Sequence, residues 1–311
     1  MMPMDRKDYT GHEDVLTREN ADVDSGIYTS EESGHLDLAG MFSSKFSNIN
    51  LIYRSERGAT EIHAATRYGK RFVLKGLGSE HRDDPVYSMC MAKEFEIGIT
   101  LDHPNIRRTI GFENVDGLGK RIILEYIDGS TLAEILSTGG ITPERASTIA
   151  VQIADAIRYL HGKQICHRDL KPENILITHK GDIVKVIDFN LSDRDDYIVL
   201  KNPAGSKRYM APELADPDSA PTPETDYYSL GVIMKDLAEA SGNRHLGRAA
   251  AQCMDNDPRN RRHGIAILEA GNDLQESTSL PDRILSSKPL TYILSAICIF
   301  LAAFIAYHYR Q

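Results

Sequence analysis

Residues 167–174 read HRDLKPEN, and residues 186–190 read VIDFN. The first stretch crowds ionic, amide and ring side chains around one proline. The second ends a near-buried strand on a carboxylate, an aromatic ring and an amide. A carboxylate in that place is costly unless a cation or hydrogen-bond donors meet it. Asn174 closes the first stretch and Asp188 stands in the second, so one explanation has to cover both.

Working outward, a helix opens at Thr142 with Pro143 at its first position, a favoured start. Ala146, Ile149, Ile153, Ile157 and Leu160 recur at intervals of three and four, which marks one buried face. Residues 175–177 and 183–187 form a small hairpin around Lys180-Gly181. Towards the N-terminus, 49–53, 61–65 and 71–75 read as short strands, the last two joined at Tyr68-Gly69-Lys70. A helix fits 89–101, and further strands fit 106–112 and 120–126. After Gly129 the pattern turns mostly helical, with more helices near 226–240, 244–254 and 263–271. The organisation is a small sheet-rich lobe followed by a larger helical lobe.

On these residues the chain resembles the eukaryotic-type Ser/Thr protein kinases, over roughly 46–275. The resemblance implies an α+β, bilobal protein-kinase fold: a small β-rich N-lobe and a larger α-helical C-lobe. It implies ATP and Mg2+ as cofactors and protein substrates as partners. In its terms Asp169 orients the acceptor hydroxyl and takes its proton, and Lys171 neutralises charge on the transferred group. Lys at that place resembles the Ser/Thr-specific branch. Asn174 and Asp188 are the implied metal ligands. Lys75, in Val73-Leu74-Lys75, is the implied phosphate-pairing lysine, and Glu94 its ion-pair partner. Ser55, Arg57, Gly58 and Thr60 fall at the phosphate-covering loop, and Val73, Glu125 and Ile127 at the nucleotide pocket.

The chain departs from the family at two places. The loop has Ser55, Arg57 and Thr60 where glycines are usual, with Gly58 nearby. Asn190 replaces the glycine of Asp-Phe-Gly; asparagine is among the few side chains that tolerate positive φ, so the metal ligand is retained. Residues 205–213, GSKRYMAPE, resemble the end of an activation segment, in which Ser206 would bond near Asp169 and Lys171. Glu213 would be buried and pair with Arg261, and Asp226 would tie down the catalytic loop. Asn202 stands where a phosphorylatable threonine is common, leaving Ser192 and Tyr197 at less usual positions.

Composition bounds the rest. The formal charge is −9, and Met1–Gly40 carries −7 of it, ten acidic residues against three basic. Residues 1–45 are acidic and aperiodic, which predicts disorder. No basic stripe with interleaved aromatics points to nucleic acid. Cys90, Cys166, Cys253 and Cys298 form no CxxC pair, which argues against a zinc site or disulfide framework. The start lacks an apolar leader run. Residues 276–288 form a polar linker, and 289–309, PLTYILSAICIFLAAFIAYHY, contain no Asp, Glu, Lys or Arg. That length is close to the ~20 residues of a transmembrane helix. It predicts a single-pass, C-terminally anchored membrane protein with the kinase domain in the cytoplasm. Nothing in the sequence marks a dimer interface. A second reading is a scaffold that binds nucleotide or a partner without transfer; a third aims the phosphoryl chemistry at a small molecule.

Overall fold

The computed structural model describes residues 44–55, 58–188, 207–216 and 218–271. The expectations for residues 1–43, Arg57, Asn190, Ser192, Tyr197, Asn202, Ser206 and the 289–309 span lie outside the described residues. So does Cys298.

Five antiparallel strands build the N-lobe: β1 (Ser47–Arg54), β2 (Thr60–Arg67), β3 (Lys70–Leu77), β4 (Thr109–Val115) and β5 (Gly119–Glu125). Their order in the sheet is β1-β2-β3-β5-β4. The β2–β3 hairpin turns at Tyr68 and Gly69, both at positive φ (52° and 69°), as a tight two-residue turn requires. The period-two pattern of β3 then sorts its side chains. Val73 and Leu77 pack with Met91, Ile122 and Leu124 on one face. Leu74 packs with Ala65, Val115 and Ile123 on the other. Lys75 falls on the first face, the one covered by helix α1 (Pro85–Gly98).

Helix α1 starts four residues before the sequence expectation. Asp84 caps it, accepting from the Val86 and Tyr87 amides, and Pro85 occupies its first position. Strand β4 starts later than expected, because Ile106 bridges in parallel to Val186 instead of joining β5.

Gly76 shows why one residue matters to the sheet. It lies opposite Glu61 on β2 and Arg121 on β5. The fully buried Arg121 reaches Glu61 at 3.3 Å and donates to the Leu77 carbonyl at 2.9 Å. A Cβ on Gly76 would meet the Arg121 Nη1 at 2.1 Å. The charged pair therefore fits over this strand only if the residue beneath it is glycine.

The C-lobe core is built on α3 (Pro143–Gly162), whose predicted face is buried throughout; Thr142 caps it by accepting from the Arg145 amide. Against it pack α4 (Pro223–Ser241) and α5 (Arg244–Cys253). Asn243 caps α5 and also donates to the Pro143 carbonyl and the Ser147 hydroxyl, both at 2.9 Å, so it joins α5 to the start of α3. A last helix, α6, occupies 262–271. Two elements were not foreseen: the three-residue strand β6 (Gly129–Thr131) and helix α2 (Leu132–Thr138), which opens with a complete capping box at Thr131 and Glu134. Strand β6 pairs with β7 (Ile175–Thr178), and β7 with β8 (Val184–Val186). This small sheet places 167–174 and Asp188 side by side.

The Gly76 contact predicts that Gly76→Ala destabilises the fold by roughly 1–3 kcal/mol through overpacking. Gly162→Ala, whose Cβ would meet no atom within 4 Å, should be neutral or slightly stabilising. Urea titrations of the two variants against the parent check the contrast.

Candidate active site

The site is assembled from four places in the chain. Lys75, from β3, donates to Glu94 Oε1 on α1 at 2.7 Å, joining strand to helix as the sequence predicts. Its ammonium also reaches Asp188, just beyond β8. Burial alone would lower the Lys75 pKa, but the Asp188 and Glu94 carboxylates outweigh it and hold it above the usual lysine value. The Lys75 charge in turn holds Asp188 well below the usual carboxylate range against the opposing effect of burial. Glu94 goes the other way, raised by burial and by the nearby Asp188 charge more than Lys75 can offset. The three side chains act as one electrostatic unit.

Asp169, Lys171 and Asn174 form the second group. Lys171 Nζ lies 2.9 Å from Asp169 Oδ2. The Asn174 amide nitrogen donates to the Asp169 carbonyl at 2.8 Å and to Oδ2 at 3.2 Å. With its nitrogen committed to the loop, Asn174 offers its oxygen to a cation. The Ile187 amide donates to the Asn174 carbonyl at 2.9 Å, which ties this loop to the strand end carrying Asp188.

Asp226, at the start of α4 and 1% exposed, fixes the loop from below. Its two oxygens accept from the amides of His167 (2.8 Å) and Arg168 (2.9 Å), as the sequence predicts. The His161 ring Nε2, at the end of α3, adds a third contact at 2.8 Å. Arg168 is at φ +67° and Asp188 at φ +64°, a left-handed backbone that costs about 1–2 kcal/mol for such residues. Bonds to a carboxylate are strong enough to offset that cost at Arg168. His167 is fully buried; its Nε2 lies 3.2 Å from the Ile187 carbonyl, and its Nδ1 accepts from the Asp169 amide at 3.4 Å. This fits a neutral ring, and burial lowers its pKa accordingly.

Other predicted residues divide. Ser55 and Thr60 close the β1–β2 turn on each other: the Thr60 amide donates to Ser55 Oγ at 3.0 Å and the Ser55 amide to the Thr60 carbonyl at 2.9 Å. Gly58 supplies the positive φ of 67° that the turn needs. Val73 is buried beside Lys75, and Ile127 is half-buried after β5. The Glu125 carboxylate is already occupied, accepting from Lys185 at 3.1 Å through both oxygens and from the Arg108 amide at 3.1 Å. Glu213 pairs with Arg261 through two bonds of 2.6 and 2.8 Å. The pairing is as expected, but Glu213 is only partly buried, its side chain 24% exposed, while the guanidinium is fully buried. Cys166 stands next to His167, and burial pushes its thiol up to about 11, away from the thiolate form.

Sequence reasoning missed three residues. His161 ends α3 as an ordinary helix-terminal histidine would, and Lys185 looks like a solvent-facing strand residue. Arg107 is 8% exposed and attracted by Asp188, Glu94 and Glu125. Its only signal is a charge pair, Arg107-Arg108, inside an otherwise strand-like run.

Comparison with known proteins places this geometry. The family model for the protein kinase domain matches residues 58–289. The serine/threonine-protein kinase PrkC of Bacillus subtilis is 34% identical over 172 residues, covering 54% of this chain and 26% of PrkC. The serine/threonine-protein kinase ppk25 of Schizosaccharomyces pombe is 40% identical over 146 residues, covering 46% of this chain and 34% of ppk25. The chain thus spans about a quarter to a third of the length of these curated relatives. The crystal structure of the Mycobacterium tuberculosis PknI kinase domain superposes with a TM-score of 0.54 at 18% identity, covering 74% of this chain and 98% of that one. This likeness supports the two-lobed fold.

Two outcomes follow from the site. Asp226→Ala strands two buried amides and should cost roughly 2–4 kcal/mol, read as a lower urea midpoint. The folded-state pKa of His167 lies below its unfolded value near 6.5. The unfolded chain therefore takes up the extra proton, and stability falls as pH drops below about 6.5. Melting at pH 7.5 and 5.5 should show a loss that is smaller in His167→Asn than in the parent.

Proposed function

The chain belongs to the protein kinase family, and on that premise we propose that it is a serine/threonine protein kinase, moving the γ-phosphate of ATP to hydroxyls of protein substrates. The observation that carries this reading is that Lys75, Glu94 and Asp188 meet in one cluster and Asp169, Lys171 and Asn174 in another, with the Ile187–Asn174 backbone bond joining the two.

The roles follow from the contacts. Asp169 is held by Asn174 and Lys171 at the position where an acceptor hydroxyl would enter, and it is the base that takes the hydroxyl proton. Lys171 stands beside it to offset charge on the group in transit. Lys75 is fixed by Glu94, so that its ammonium meets the nucleotide phosphates with little reorganisation. Asp188 and Asn174 present hard oxygen donors, a set that suits magnesium. Magnesium, when bound there, supplies charge neutralisation across the phosphates. Phosphoryl transfer asks for positioning and electrostatics more than for covalent chemistry by the protein, and this constellation is built for both.

Several features support protein as the substrate. HRDLKPEN and the APE run at 211–213 both match the protein-kinase pattern. A cavity of about 370 Å³ opens beside the catalytic loop, lined by Glu173, Arg208, Tyr209, Asp236 and Glu239 among others. The scaffold reading is the weaker one, because nucleotide binding alone gives no reason to keep the Asp169–Lys171 pair.

The reading also extends to a membrane anchor. The 289–309 run has no ionisable acid, lysine or arginine, and Lys288 and Arg310 bracket it. It would hold the kinase domain at the cytoplasmic face. Among the described residues no helix is long and apolar enough to cross a membrane, and 289–309 lies outside them.

Radiolabelled ATP with the full chain and a mixed protein substrate tests the activity. Asp169→Asn and Asp188→Ala should each reduce transfer by about a hundredfold or more. A parent with no transfer, yet Mg-dependent thermal stabilisation by ATP, would establish the scaffold instead. Alkaline carbonate extraction should leave the full chain in the membrane pellet; recovery in the supernatant would defeat the anchor.

A further inference from the structure

Lys185 takes no part in the transfer just described, yet it fastens the helical lobe to the N-lobe sheet. Its ammonium donates to both carboxylate oxygens of Glu125 at 3.1 Å, and its side chain is only 12% exposed. Lys185 is the middle residue of β8, and Glu125 is the last residue of β5. The ion pair therefore spans from the three-stranded sheet to the five-stranded one.

Glu125 is a fixed post for this link. Its backbone amide donates to the Arg108 carbonyl at 3.0 Å, and its Oε2 accepts from the Arg108 amide at 3.1 Å. In register it lies beside Phe72 of β3, three residues before Lys75. Lys185 likewise stands three residues before Asp188. The sheet and the β8 segment are thus joined by two ion pairs, Glu125–Lys185 and Lys75–Asp188, roughly 10 Å apart along the strands. The two links leave the sheet on opposite faces. Lys75 shares the α1 face with Val73 and Leu77, whereas Phe72, beside Glu125, packs with Leu74 on the other.

The reaction treats the two links differently. Lys75 is the group that meets the nucleotide phosphates, so its bond to Asp188 slackens when nucleotide binds. Lys185 stays committed to Glu125 through both oxygens. We propose that Lys185 is a positioning residue of the nucleotide site: through Glu125 it holds β8, and Asp188 just beyond it, at a set distance from the sheet while Lys75 engages phosphate. The proposal rests on the kinase reading above. Lys185 touches neither nucleotide nor acceptor; it acts through Glu125 and Asp188. Without the pair, nucleotide binding must first restore a spacing that the parent already holds, so the loss falls on nucleotide affinity and not on the transfer step.

The test uses the full chain with Lys185→Met, Lys185→Arg, Glu125→Gln and the double variant of Lys185→Met with Glu125→Gln. Initial rates are measured against ATP and against a protein substrate, and melting temperatures are taken with and without Mg·ATP. Lys185→Met should raise the KM for ATP by about fivefold, with kcat and the KM for protein within about twofold of the parent, and Lys185→Arg should return most of the loss. Adding Glu125→Gln to Lys185→Met should raise the KM for ATP no further, because the two residues act as one unit. An unchanged KM for ATP in Lys185→Met, an Arg variant no better than Met, or a further rise in the double variant would each overturn the proposal. If Lys185→Met fails to fold, Lys185→Gln takes its place: a KM for ATP above that of Lys185→Arg supports the proposal, and equality overturns it. If the parent transfers no phosphate, the kinase reading falls, and the melting data decide separately. A Mg·ATP shift that is smaller in Met than in Arg supports the link, and equal or absent shifts overturn it.

Discussion

The ammonium of Lys75 is the point on which the site turns. A strand lysine buried in a cleft is unfavourable by itself, since burial disfavours the charge. It is kept because α1 brings Glu94 to it from one side and the end of β8 brings Asp188 from the other. Glu94, the more buried of the two carboxylates, in turn depends on the lysine for its counter-charge. This mutual requirement ties the pleat of β3, the cap that starts α1 and the small sheet β6-β7-β8 to one another.

The helical lobe solves a second problem. The catalytic loop must hold Asp169, Lys171 and Asn174 in one geometry without a regular element to support them. A buried aspartate on α4 does this through backbone amides, and so does not depend on the loop's own side chains. A different device serves residues 211–213, where the Glu213 side chain itself pairs with Arg261 through two bonds. There the guanidinium is the fully buried partner, and the carboxylate, expected to be buried, is only partly so. The delocalised cation is less strongly hydrated than an ammonium and gives up water more readily.

Much of this was legible in the residues. The face of α3 was read from spacing alone, because apolar residues at three and four leave no other period. Lys75 and Glu94 were readable as a pair only through resemblance, since nothing local links a strand residue to one on a helix. The start of α1 was missed although Asp84-Pro85 carries the signal, because the apolar run was taken as the guide. Strand β6 was missed because three residues are too few to show a period. Arg107 was hidden for a different reason. An arginine in a strand-like run reads as solvent-facing, and only the backbone bonding of residues 106–107 to Val186 in three dimensions buries it.

The anchoring of 167 and 168 by Asp226 has a consequence for motion. Those amides are bonded to a side chain on the central helix of the larger lobe, not to a neighbouring loop. They cannot be released by fraying of the segment around them. Their exchange with solvent deuterium should accompany only the opening of the whole helical lobe, placing these two amides among the slowest-breathing of the described residues.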